Sequence, residues 1–147
     1  MTPINIVVID QNRSGVPDYT AWLGEDPAIR ITARSSQVDD TYALCASYHP
    51  DVLLVSTHCL RDTNPGWLAD MHRQYTATRI ILIDDALTDE ALIDCLVTGA
   101  RGWVKVRDTP LVGKAVHAVH QGGAWVPRKL ARRLVDRLIE RERGRIG

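Results

Sequence analysis

The chain has 147 residues and equal numbers of acidic and basic side chains, for a formal net charge of zero. That length suits one domain with a sizeable core, and 45% hydrophobic against 24% charged residues excludes wholesale disorder. No apolar run reaches the roughly 18 residues of a membrane span, and no basic flank precedes the first apolar run, so neither a span nor a secretory signal is expected.

In chain order, strands and helices alternate. Ile4–Ile9 is a short β-branched run closed by the polar cluster Asp10–Gly15, and reads as a strand buried on both faces. A helix is expected over Pro17–Leu23, with proline in its first turn. Ile29–Ala33 is the second strand and Asp39–Tyr48 the second helix, stopped by His49-Pro50. Asp51–Val55 is the third strand, and a polar loop, Ser56–Gly66, leads to a helix over Trp67–Tyr75. Arg79–Ile83 is the fourth strand. Thr88 is placed to cap a helix over Asp89–Thr98, with acids at its positive end and Gly99 closing it. Gly102–Val106 is the fifth strand, and Pro110–His120 the fifth helix, with Thr109 as its cap and Gly122-Gly123 as its stop.

This alternation implies a parallel sheet covered on both faces, with its site at the carboxyl ends of the strands. Those ends carry Asp10-Gln11, Ser56-Thr57, Asp84-Asp85 and Lys105-Val106. Cys45, Cys59 and Cys95 are odd in number and lack CxxC spacing, which suits buried, reduced thiols in a cytoplasmic protein.

Charge is distributed unevenly. Arg128–Gly147 holds eight Lys/Arg against three acids, leaving the rest of the chain acidic. Within it, Leu130, Leu134, Val135, Leu138 and Ile139 form an apolar stripe on a helix over Arg128–Arg143. Such a helix packs back on the domain or on a partner helix, or turns its arginines toward nucleic acid.

The order of elements, together with IVVIDQN, HPDVLLVS, RIILI, TGARGWVK and HQGGAWVPRKLARRLVDRL, resembles the receiver domain of NarL/FixJ (LuxR-type) response regulators over essentially the whole chain. The resemblance implies a flavodoxin-like (βα)5 doubly wound parallel sheet of five strands with an extra C-terminal helix. It also implies a non-enzymatic, cytoplasmic, dimeric module of two-component signal transduction that regulates transcription. Residues 1–124 would be the receiver-like domain, and 125–147 a linker helix leading to a helix-turn-helix DNA-binding domain. A parent protein longer than this chain is expected.

Receivers of this family take phosphate on an aspartate. A carboxylate attacks the phosphoryl group while Mg²⁺, held by acids after the first strand, neutralises the developing charge. A hydroxyl after the fourth strand and a lysine after the fifth hold the phosphate oxygens. Matched by position, Asp10 keeps the first acidic place, but the second is Gln11. Ser56 stands at the phosphoacceptor place, and Asp84 where a hydroxyl is needed. An anion there repels a phosphate about 3–4 Å away by several kcal/mol at an effective dielectric near ~20. Lys105 falls one residue short of the lysine place, which turns its amine to the other face unless a bulge restores it. The sequence therefore predicts a receiver that works without aspartyl phosphate and needs no cofactor, Mg²⁺ being weakly supported.

Asp10, Asp84 and Asp85 could hold a cation, or could be solvated loop acids or partners of Lys105 or Arg107; Mg²⁺ or Ca²⁺ wants more oxygen ligands than these. Ser56 and His58 lack a third, orienting group for nucleophilic catalysis. Trp103 is either a partner-facing switch residue or a buried strand aromatic. His117 and His120 lie three apart on one helix, and Trp22, Trp67 and Trp125 are read as core or hinge packing. The expected function is signalling by dimerisation, a regulatory protein or a small ligand, coupled to DNA binding. A stand-alone interaction or ligand-binding module is the alternative. A nucleotide-binding or enzymatic domain would want a glycine-rich loop after the first strand, where QNRSG offers one glycine.

Overall fold

The computed structural model describes residues 2–11, 18–60 and 66–146. Five strands, β1 (Ile4–Ile9), β2 (Ile29–Ser35), β3 (Val52–Ser56), β4 (Arg79–Ile83) and β5 (Ala100–Val104), form one parallel sheet in the order β2-β1-β3-β4-β5. Among the described residues six α-helices surround it: α1 (Thr20–Glu25), α2 (Thr41–Tyr48), α3 (Trp67–Gln74), α4 (Asp89–Thr98), α5 (Val112–His120) and α6 (Arg128–Ile146). This is the doubly wound sheet with an extra C-terminal helix that the alternation of elements anticipates.

Period-2 side-chain alternation divides the core in two. Ile6 and Val8 of β1, Val52 and Leu54 of β3, and Ile81 and Ile83 of β4 pack with Leu23 of α1 and Val112, Val116 and Val119 of α5. Val7, Ile9, Leu53, Val55, Ile80 and Leu82 face the other way, onto Cys45, Met71, Leu92, Leu96 and Leu130. Both faces of the three central strands are thus buried, which is why their sequences are nearly unbroken apolar runs.

Several boundaries move, each for a local reason. The expected start of the first helix at Pro17 lies outside the described residues, as do residues 61–65 of the Ser56–Gly66 loop. The second helix begins as a 3-10 turn, Val38–Asp40, and ends at His49, whose φ of 45° stops it. β5 runs over Ala100–Val104 rather than Gly102–Val106. Gly99, at φ 151°, ends α4 and feeds the chain straight into the sheet, while Asp85 accepts the amide of Val106 at 3.0 Å and turns it out again. Thr109 does not cap α5. It is buried in a 3-10 turn, Val106–Leu111, and its hydroxyl donates to the Val106 carbonyl at 2.8 Å. Thr88 does cap α4, accepting the Ala91 amide at 3.1 Å.

After α5 the chain returns to the sheet edge. Trp103 and Trp125 exchange backbone contacts across it: Trp103 N donates to Trp125 O at 2.9 Å, and Trp125 N to Arg101 O at 3.0 Å. α6 then lies along α4.

Candidate functional site

In an open parallel sheet the site lies at the strands' carboxyl ends, at the point where strand order reverses. Here that point falls between β1 and β3, so Asp10, Gln11 and Ser56 stand beside it, with Asp84 and Asp85 one strand further on.

Ser56 is the last residue of β3, paired in register with Ile83 and fully buried. Its hydroxyl accepts the backbone amide of His58 at 3.3 Å. The His58 ring plays no part in that bond, and its Nδ1 is buried without a hydrogen-bond partner among the described residues. Ser56 and His58 therefore form no nucleophile–base pair.

Each acid is committed to protein donors. Asp10 accepts the Tyr19 hydroxyl on Oδ2 at 2.6 Å and the Gln11 amide on Oδ1 at 2.7 Å. Asp84 accepts the Thr57 hydroxyl on Oδ1 and the Leu87 amide on Oδ2, the latter at 2.5 Å. Asp85 turns to Val106. Among the described residues no three His, Cys, Asp or Glu side chains come together in a way that could hold a metal ion. With an amide at Gln11 and a hydroxyl at Ser56, this donor set does not fit Mg²⁺, which takes carboxylates in near-octahedral array.

The lysine also lies elsewhere. Lys105 follows β5, and its Nζ sits 5.4 Å from the centroid of the Trp103 ring, within cation–π range. The β4–β5 register does shift between Ile80 and Ile81, but Lys105 remains two residues from Trp103 and on its face. Trp103 itself is 8% exposed and belongs to the cluster containing Leu92 and Leu130. Its Nε1 is buried without a hydrogen-bond partner.

The remaining candidates separate. His117 pairs with Asp26 at 2.8 Å, while His120 is exposed, so the two histidines form no joint site. The Asp26 carboxyl is held below its ordinary range by the Ala28 amide and by His117. Trp67 is buried and Trp125 partly so, but Trp22 lies exposed on α1, against the expectation of packing. Cys45 is buried, as anticipated, whereas Cys59 and Cys95 are only half-buried.

Tyr19 escaped the sequence reading, and Thr57 was placed at a strand end without its partner. Tyr19 reaches Asp10 from nine residues away, and Thr57, after β3, reaches Asp84, after the adjacent β4. Neither contact has a spacing signal, because both come from the packing of separate elements.

No family model matches the chain. It is 25% identical to the transcriptional regulatory protein DegU of Brevibacillus brevis over 98% of this chain, and it spans just under two thirds, 64%, of that relative's length. Its fold is similar to the signal receiver domain of the response regulator NarL from Mycobacterium tuberculosis. The TM-score is 0.71 at 20% identity, covering 83% of this chain and 99% of that one. It is also similar to the RcsB response regulator of Salmonella typhimurium, with a TM-score of 0.75 at 15% identity, over 89% of this chain and 68% of that one. RcsB has also been solved as two dimers bound to two parallel DNAs. The fold is that of receiver domains.

Proposed function

We propose that this chain is the receiver-like domain of a LuxR-type transcriptional regulator and that it signals through protein contacts without aspartyl phosphate. The likeness to DegU along nearly the whole chain supports the regulatory role. What carries the phosphate-independent part is the buried hydroxyl of Ser56 at the end of β3, where a receiver needs a carboxylate. Around it, the Asp10 and Asp84 carboxylates are engaged by Tyr19, Thr57 and backbone amides, and the Lys105 amine lies over Trp103. A phosphoryl group brought to this crevice would find no nucleophilic carboxylate, no assembled metal site and an anion at Asp84. On this reading residues 1–124 sense the input by binding a protein or a small ligand in a cytoplasmic setting. Residues 125–147 form the linker to a DNA-binding domain, and the output is set by homodimerisation, as in the solved RcsB dimers on DNA.

Incubation with acetyl phosphate, or with beryllofluoride, each with Mg²⁺, tests the chemical half. Intact-mass measurement should find the chain unmodified, and calorimetry should find no beryllofluoride uptake. A stoichiometric, base-labile phosphate adduct would overturn the proposal.

A further inference from the structure

The C-terminal helix is held to the domain in two different ways along its length. At its root the hold is apolar and covalently short. Trp125 is bridged to the edge of β5, and Leu130, one turn into α6, is 1% exposed. Further along, apolar packing narrows to Leu134, which is partly buried against the cluster of Leu92 and Leu96. Val135, Leu138 and Ile139 are exposed, and a cavity of about 330 Å³ opens between Leu134 and Leu138 of α6 and Leu96, Val97, Ala100 and Val126 of the domain.

Over that same stretch the contacts with α4 are ionic. Arg133 pairs with Glu90 and lies 3.9 Å from Asp89, Arg137 reaches Glu90 at 3.0 Å and Asp94 at 2.8 Å, and Lys129 lies 3.9 Å from Asp89. Arg141 adds a hydrogen bond to the Val97 carbonyl at 2.7 Å. α4 thus presents a line of acids at i, i+1 and i+5, and α6 a line of bases at i, i+4, i+8 and i+12 that meets it. All of these side chains are well solvated, and solvated pairs are individually weak and screened by salt.

We infer that α6 is a charge-held latch on α4. The helix from Arg133 onward lifts from the domain when its ion pairs are screened or reversed, while the root at Trp125 and Leu130 stays in place. Lifting uncovers the cavity of about 330 Å³ beside Leu96 and Val97. The inference is independent of whether Ser56 or its neighbours take phosphate.

Hydrogen exchange read by mass spectrometry on the full chain tests it. In the R133E/R137E variant, amides of residues 133–141 should exchange roughly tenfold faster or more, with β1 and β3 amides unchanged as the check on folding. Adding E90R/D94R restores the pairing with reversed signs and should bring protection back to within about threefold of the native chain. The native chain alone should show the same acceleration between ~0.05 M and ~1 M NaCl, where the screening length falls from about 14 Å to about 3 Å. Unchanged protection of 133–141 at high salt would overturn the latch, because apolar packing would then be holding the helix. Acceleration that the charge swap fails to repair would overturn it as well, since the effect would lie within α6 itself.

Discussion

The hydroxyl of Tyr19 donates to the carboxylate of Asp10 at 2.6 Å, joining the residue before α1 to the end of β1. Tyr19 is buried, and burial first, then the neighbouring Asp10, pushes its phenol far above the ordinary tyrosine range. The bond keeps the Asp10 carboxylate, at the carboxyl end of β1, occupied by a protein donor.

Replacing Tyr19 by Phe removes that donor while keeping the ring. Hydrogen bonds to charged groups contribute about 1.5–3 kcal/mol, and the partial exposure of Asp10 reduces this, so a loss of about 1–2 kcal/mol is expected. Urea denaturation at neutral pH reads it directly. An unchanged midpoint would show that the bond contributes nothing to the fold.

Placing a carboxylate at the end of β3 should destabilise the domain. Ser56→Asp places a charge at a fully buried position that pairs in register with Ile83 and whose hydroxyl accepts a backbone amide. A cost of about 2–4 kcal/mol at neutral pH is expected. Burial raises the pKa of the introduced carboxyl, so the cost shrinks as pH falls and the group is neutralised. Thermal melts at neutral pH and near pH ~4.5 make the comparison; equal losses at both would show that the penalty is steric.

Gly99 closes α4 at φ 151°, and a Cβ there would lie 2.6 Å from Cγ of His72. Gly99→Ala meets both backbone strain and a clash with the α3 side chain. A loss of about 2–3 kcal/mol is expected. His72→Ala in the same chain removes the clash but not the strain, and should return part of the loss in a double-mutant cycle. Full additivity of the two substitutions would refute the contact.

Alkali should weaken the domain through Cys45. Burial pushes this thiol from an ordinary value of 9.0 to about 11. A pKa raised in the folded state means that the folded chain binds the proton more tightly. The stabilisation is therefore complete below pH 9.0 and is lost as pH rises toward about 11. The limiting slope is about 1.4 kcal/mol per pH unit. Stability measured across this window should fall less steeply in Cys45→Ala than in the native chain; parallel curves would show that the thiol does not titrate against folding.

Much of this architecture can be read from residue order. The apolar runs of β1, β3 and β4 announce strands buried on both faces, and Thr88 and Gly99 mark both ends of α4, because caps and periodicity are properties of neighbours in the chain. The boundaries of β5 and α5 were less legible. They depend on Asp85 reaching Val106 from another strand end and on Thr109 turning its hydroxyl inward to Val106.

The candidate site divides in the same way. That Gln11, Ser56 and Asp84 stand at the ends of β1, β3 and β4 is a matter of residue order, and sequence alone determined it. Where the remaining groups spend their hydrogen bonds was decided only by the tertiary structure. Tyr19 meets Asp10, Thr57 meets Asp84 and Arg137 meets Glu90 because the sheet and its helices bring distant segments within hydrogen-bonding range. The bases of α6 pair with α4 rather than stand free for the same reason: charge is written into the chain, but the partner of a charge is fixed by which surfaces pack together.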